Sequence, residues 1–521
     1  MKKQTTPAID STLSAGLRRF LYVTAAVTGA AILIVEILGA KMLAPYVGTS
    51  HFVWTAQIAV TLLSLATGYY FGGWLVDRSA KLSRLYACIL VAAIYLCLTV
   101  LIRERVAYAC LEYKLAIGAL LTSAALFFVP LTLLATTGPF LVRVLMLSAN
   151  AIGGQVGRLS AVSTLGSVAG TALIGYALIP FLPNSITMFA TAGALLLVAA
   201  IYFFAWGRGE NQRGNAVAGI LLGLALGSLG LRVENISQPA FGEEIFRANS
   251  NFGQLQVIDH NSGPRRFYLN DFLTQNIYDP AAKQSLAMFT HMLHGLARAY
   301  TRQIDDVLCI GLGVGIVPMQ FARTGARVEV AEINPAVVPL AEKFFDFDAQ
   351  KLRLTIADGR EFLNRSTNRF DAIILDAFLG DSSPSHLMTR EAFDAMRRHL
   401  QPGGTLVMNC FGEVQGVEDF FIASLDKTLR AVFRSVRIHA SGNGNVFFVA
   451  TDEPEFKQWH APDFEPIHPA VRETVRRGFD GIIQTDAAHG RVLTDDFNPV
   501  DYYDAGNRER IRRLLAAAMR N

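Results

Sequence analysis

Three glycines and three acids are the residues of this chain best suited to chemistry. Gly311, Gly313 and Gly315 stand in LCIGLGVGI (Leu308 to Ile316), an apolar run that breaks into a turn before a helical segment. A turn of that composition lets backbone N–H groups approach a ligand closely. Glu332 ends the next apolar run, about twenty residues on, where a carboxylate accepts hydrogen bonds from both hydroxyls of a ribose. Asp358-Gly359 ends a third run, placed for the edge of a purine, and Asp376 ends a fourth, just before the turn-rich AFLGDSSPSHL. The chain has no G-x-x-x-x-G-K-[ST], which argues against ATP, and Ile316 breaks the full G-x-G-x-x-G of dinucleotide enzymes. An adenosine-type ligand without a pyrophosphate fits what remains, such as an S-adenosyl sulfonium. Transfer from that ligand is displacement at a carbon beside positive sulfur. It needs alignment, worth up to roughly 7–11 kcal/mol, and a base for the attacking amine's proton.

The elements that must carry these residues alternate. The apolar runs 306–311, 327–333, 352–358, 370–376, 405–411, 435–440 and 445–451 are separated mostly by amphipathic segments. That alternation predicts a doubly wound parallel sheet with its ligand beyond the strands' carboxyl ends. Ahead of it, LQVID (Leu255 to Asp259) and RRFYLN (Arg265 to Asn270) predict a small β segment, and Ala281 to Tyr300 predicts a helix. His291 and His294, three apart on that helix, have no acid or cysteine nearby to complete a metal site and are expected to be structural.

The N-terminal half is different. Of 521 residues, 52% are hydrophobic, and the mean hydropathy of +0.33 is high for a soluble enzyme. Apolar runs near 21–40, 53–76, 84–102, 115–137, 160–182, 185–206 and, more weakly, 215–231 approach the roughly 17–25 residues of a membrane span. The expected organisation is an N-terminal tail (1–20), a polytopic α-helical membrane domain of six or seven helices (21–232), a small β-strand and helix segment on the substrate side (240–300), and a Rossmann-like catalytic domain of the class I methyltransferase type (301–521). Lys2, Lys3, Arg18, Arg19, Arg78, Lys81, Arg84, Arg143, Arg158, Arg208 and Arg213 lie on one side, against Lys41, Arg103, Arg105 and Lys114 on the other. The N-terminus is therefore expected in the cytoplasm. A cytoplasmic catalytic domain in a multi-pass inner-membrane protein follows if 215–231 does not span. Pro130 predicts a kink, and the small residues from Ser163 to Gly175 predict close helix packing. Glu36 is an acid at membrane depth, paired with Lys41 or functional.

A net charge of +4 with no basic run gives no reason to expect nucleic acid. The five cysteines show no metal spacing and are expected to be free thiols, and no metal is expected at all.

These residues resemble the spermidine synthase (polyamine aminopropyltransferase) family, in its membrane-fused bacterial form, over roughly residues 250 to 500. CIGLGVGI is similar to the family's glycine loop, Ala331-Glu332-Ile333-Asn334 to its ribose-binding segment, Asp358-Gly359 to its Asp-Gly pair, and FDAIILD to its catalytic strand. The resemblance implies Asp376 as proton acceptor, and Gln254 in FGQLQV as a further nucleoside contact. It implies Gln275 in LNDFLTQ and Asp381 on the amine side. EILGAKMLAPYVGTS, TGYYFGGWLVDR and LTDDFNPVDYY resemble features of the membrane-fused group, and Asp495-Asp496 in the last either line the substrate mouth or cap a turn. The activity implied is aminopropyl transfer from decarboxylated S-adenosylmethionine to putrescine or a related amine, with no tightly bound cofactor. The partners are then the amine and the lipid bilayer, and the oligomeric state leaves room for a homodimer. The departures fall on the amine side. Val314, Ser285-Leu286-Ala287 and Leu379 stand where the family usually has an acid, Tyr-His-Glu and a second acid. They keep two alternatives open: an S-adenosylmethionine-dependent methyltransferase, and a transporter or sensor whose adenosyl domain only binds.

Overall fold

The computed structural model describes residues 13–48, 50–146, 152–207, 213–236, 242–378, 384–414, 419–442, 444–486, 488–503, 505, 506, 509, 510 and 513. The chain divides into two compact units, the first chiefly residues up to 237 and the second chiefly those from 238 onward.

The first unit is helical. Among the described residues, seven helices are long and apolar enough to cross a membrane: Ala15–Val47, His51–Arg78, Leu82–Cys110, Leu115–Met146, Gly153–Phe181, Asn184–Ala205 and Arg213–Arg232. The segment that sequence left between six and seven spans lies within one helix of 24 residues, Arg213–Ile236. Within Leu115–Met146 a π-helical turn, Ala124–Phe128, comes just before Pro130. Proline has no N–H and its ring clashes with the carbonyl four residues back, so a widened turn relieves the helix there. The carbonyls set free are taken up by the neighbouring helix: Thr99 Oγ1 donates to Leu126 O at 3.1 Å and Tyr95 Oη to Ala125 O at 2.7 Å. Glycines let Ala15–Val47 and Gly153–Phe181 touch backbone to backbone. A Cβ on Gly166 would lie 2.1 Å from the carbonyl oxygen of Ala26, and one on Gly170 2.7 Å from that of Ala30.

The second unit carries two sheets. Strands β1 (Gly242–Ser250), β2 (Gly253–His260), β3 (Arg266–Asn270), β4 (Leu273–Asp279) and β5 (Gln284–Ser285) form an antiparallel meander in sequence order. The helix expected from Ala281 begins only at Met288. Asp279 Oδ1 accepts the N–H groups of Ala281 and Ala282 at 2.8 and 2.9 Å, and β5 then pairs with β4. The β4–β5 pairing, with Leu286 N donating to Ile277 O at 2.8 Å, holds the chain extended up to the helix start.

The second sheet holds β6 (Asp306–Ile310), β7 (Arg327–Glu332), β8 (Arg353–Ile356), β9 (Phe370–Leu375), β10 (Leu400–Phe411), β11 (Ser435–Ala440), β12 (Asn445–Thr451) and β13 (Ile482–Ile483), in the order β13-β11-β12-β10-β9-β6-β7-β8. From β10 to β8 it is parallel, as the alternation predicts. β12 is antiparallel to both β10 and β11. The link from Ala440 to Asn445 is too short for the crossover a parallel pair requires, so those strands close as a hairpin. Apolar side chains bury both faces of the sheet, Val307, Cys309 and Ile374 on one and Leu308, Ile310 and Ile373 on the other. All five cysteines are free.

Candidate functional site

A cavity of about 630 Å³ opens beyond the carboxyl ends of β6, β7, β9 and β10. Its walls include Gly311, Gly313, Glu332, Asp358, Gly359 and Asp376, residues that lie far apart in sequence and converge because the parallel strands end together.

The glycine loop is built on positive φ. Gly311, Gly313 and Gly315 have φ of +98°, +56° and +82°, a region that side-chain-bearing residues rarely occupy. At Gly311 a Cβ would lie 2.3 Å from the backbone oxygen of Asp376, and at Gly315 2.2 Å from the Phe347 ring. Two of the three are thus fixed by close approach as well as by conformation. Gly315 starts the Ile316–Arg323 helix and does not line the cavity. Val314 between them is 1% exposed and packs into the core, off the cavity wall.

Glu332 holds the loop. Its Oε2 accepts Leu312 N at 2.8 Å and its Oε1 accepts Asn334 N at 2.7 Å. Burial pushes its carboxyl above the ordinary glutamate value, and the N–H groups of Asn334, Leu312 and Ile333 pull it back. Asp358 caps the Gly359–Arg365 helix, its Oδ1 accepting Arg360 N at 2.9 Å and Glu361 N at 3.2 Å. Its Oδ2 meets His386 Nε2 at 2.7 Å. Desolvation works against the charged form of Asp358, but His386 and the cap donors hold its pKa below the usual value.

Asp376 lies deep in the wall with only part of its surface open to the cavity. Desolvation raises its carboxyl to about 6, against a single opposing hydrogen bond from Asn409 Nδ2 to Oδ1 at 3.0 Å. Asn409 Oδ1 is buried without a partner and Asn409 itself lines the cavity. The signal for Asn409 was in the sequence, as the one amide within the apolar run TLVMNCF. His386, inside the turn-rich loop, carried no periodic signal.

Of the amine-side residues expected from sequence, Gln275 lines the cavity, as do Asn270 and Asn276, each with a buried Oδ1 that has no partner. Asp381 and Leu379 lie outside the described residues. Gln254 sits on β2 off the cavity lining, its Nε2 donating to Asn249 Oδ1 at 3.3 Å. Asp495 does not line the cavity either. It tethers its segment to Arg360 Nη2 at 2.9 Å and to Thr389 Oγ1 at 2.7 Å. Glu413 does line the cavity and is ion-paired with Arg510.

Known proteins resemble this chain in sequence. Residues 286–442 match the family model described as the spermine/spermidine synthase domain. Over 238 residues the chain is 34% identical to a polyamine aminopropyltransferase of Vibrio vulnificus, covering 44% of this chain and 76% of that one. It is 30% identical over 153 residues to a probable polyamine aminopropyl transferase of Bifidobacterium longum, covering 29% of this chain and 32% of the other. It is 28% identical over 178 residues to an N-terminal histidine N-methyltransferase of Emericella nidulans, with 31% of each covered. The chain thus spans about three quarters of the first relative and about a third of the other two. The family match and an identity of 34% across 76% of the Vibrio enzyme place the chain in the spermine/spermidine synthase family of transferases.

Proposed function

We propose that the chain is a membrane-bound aminopropyltransferase that moves the aminopropyl group of decarboxylated S-adenosylmethionine onto putrescine or a related amine. The observation that carries this reading is Asp376, a desolvated carboxyl raised to about 6 on the wall of an adenosyl-sized cavity. A base with that value is ionised at neutral pH and is still basic enough to take a proton from an amine as it attacks. The amine nitrogen bonds to the propyl carbon next to sulfur, and the carbon–sulfur bond breaks. The electron pair stays on sulfur in methylthioadenosine, and the amine's proton passes to Asp376. Glu332 suits the ribose and Asp358 the adenine edge, and the glycine loop lets the donor approach the backbone closely. The seven apolar helices support a multi-pass membrane location, and the cytoplasmic origin of adenosyl donors supports a cytoplasmic catalytic unit.

A second reading, methyl transfer from S-adenosylmethionine, has its own support. Among the described cavity carboxylates, Glu332 is held by backbone donors, Asp358 by a helix cap and His386, and Glu413 by Arg510. Asp376 alone lacks a cationic or backbone partner, whereas a desolvated diamine calls for two free acids. Purified protein incubated with putrescine and either donor separates the readings by product mass. A three-carbon amine increment supports the first and a methyl increment the second. No increment with either donor would overturn both.

A further inference from the structure

A second cavity, of about 460 Å³, lies in the same unit, and of its lining residues only Ile316 also lines the first. Two helices face it with the same spacing. Met288–Tyr300 contributes His291, Met292, His294, Gly295, Arg298 and Ala299, and Ile316–Arg323 contributes Ile316, Met319, Gln320 and Arg323. His291, His294, Gly295 and Arg298 repeat the i, i+3, i+4, i+7 spacing of the second set, with Met292 and Ala299 beside them.

His291 Nε2 lies 3.0 Å from Ser285 O, so that nitrogen carries the proton and Nδ1 is left to accept from Gln320 Nε2 at 3.5 Å. This orients the Gln320 amide and leaves its Oε1 buried with no partner. His294 Nε2 is also buried with no partner. Burial, with Arg298 and His291 adding to it, brings His294 down to about 4, so it stands as a neutral imidazole. These two orphaned polar atoms belong to residues that line one cavity, a cost that native folds normally avoid.

Gly295 adds an independent sign. It lies mid-helix, where glycine is unfavourable relative to alanine, yet a Cβ there would meet no atom within 4 Å. The protein's own packing does not ask for glycine at this position. At the rim, Arg298 and Arg323 are exposed and make no ion pair among the described residues, while Lys283 is engaged by Asp346 at 3.2 Å. The floor is apolar, with Met292, Met319, Phe345 and Phe479.

We propose that this cavity binds a small organic anion with an apolar body. Its carboxylate or phosphate head meets Arg298 and Arg323, and its body lies over Met292 and Met319. The volume is within the range of small-molecule sites, and the empty space beside Gly295 is where the body fits.

The test uses the full chain in nonionic detergent with methyl-labelled methionine, followed by NMR. Met292→Leu and Met319→Leu assign the two methyl signals that line the cavity. The probes are 6-hydroxyhexanoate, 6-hydroxyhexyl phosphate, hexylamine and inorganic phosphate. Saturable shifts of both methyls with either hydroxy anion are expected, and whichever binds tighter identifies the head group. Hexylamine and inorganic phosphate are expected to leave them unmoved. Arg298→Ala with Arg323→Ala weakens binding about tenfold or more. Gly295→Leu fills the space, abolishes the shifts and keeps or raises Tm, so loss of binding there is not loss of fold. No saturation by either anion below about 10 mM, equal shifts with hexylamine or inorganic phosphate, or unchanged binding in Gly295→Leu would each overturn the site.

Discussion

Asn409 donates its side-chain N–H to Oδ1 of Asp376 at 3.0 Å, joining the ends of two adjacent parallel strands across the floor of the cavity. The bond fixes which carboxylate oxygen is left for the substrate, and it is the one hydrogen bond that opposes desolvation of the acid.

Replacing Asp376 by Asn removes the proton acceptor while keeping its shape. The turnover of whichever donor proves active is expected to fall about 10²–10⁴-fold. In the unchanged protein, kcat/KM rises with pH through about 6, because the base works only when ionised. Stability runs the other way. The folded-state value lies above the ordinary 3.8, so the folded form binds the proton more tightly and stability is lost as pH rises from about 4 through about 6. Asp376→Asn should therefore raise Tm at pH 8 and leave it nearly unchanged below pH 4, read by thermal unfolding across pH. A flat kcat/KM profile between pH 5 and 7 would count against the assignment.

Asn409→Leu keeps the volume of the strand end and removes the donor. Hydrogen bonds to charged groups contribute about 1.5–3 kcal/mol, so the apparent pKa of activity moves upward by about one to two units. At pH 7 kcat falls several-fold, with recovery at higher pH. A merely structural role would lower the amount of folded protein and leave the pH midpoint in place, so the midpoint is the measurement that decides.

Val314→Asp puts an acid where family synthases usually have one. Because the Val314 side chain packs among core residues at 1% exposure, the carboxylate would be buried without a partner. A cost of roughly 3 kcal/mol or more is expected, with a lower Tm and no gain in diamine affinity. Tighter putrescine binding by a stable Val314→Asp protein would show that the loop turns this residue towards the substrate.

Reporter fusions at the N-terminus and after residue 240 test the membrane arrangement. Both are expected to report cytoplasm, with Arg213–Ile236 not crossing the bilayer although its length allows it. Reporters on opposite sides would place all seven helices across the membrane and the transferase unit outside.

Much of the site was legible because strand ends carry it. Glu332, Asp358 and Asp376 each close an apolar run, and the parallel sheet brings such closures to one edge. What was not legible depends on pairing across long separations. The hairpin at Ala440–Asn445 reverses β12, a strand expected to be parallel, and the turn on Asp279 takes the first residues of an expected helix. Gln254 enters through the family resemblance alone, and β2 places it off the cavity lining. Asn409 and His386 gained meaning only once their partners, Asp376 and Asp358, stood beside them.

Glu332 has a consequence for anyone wishing to change the donor. The carboxylate expected to meet the ribose is also the latch of the glycine loop, through Leu312 and Asn334. A shorter or neutral residue at 332 would alter sugar recognition and unfasten the loop in one step. The nucleoside side is therefore not tunable at that position, and a redesign has to begin from Asp358 and His386, expected at the base and bonded to each other rather than to the glycine loop.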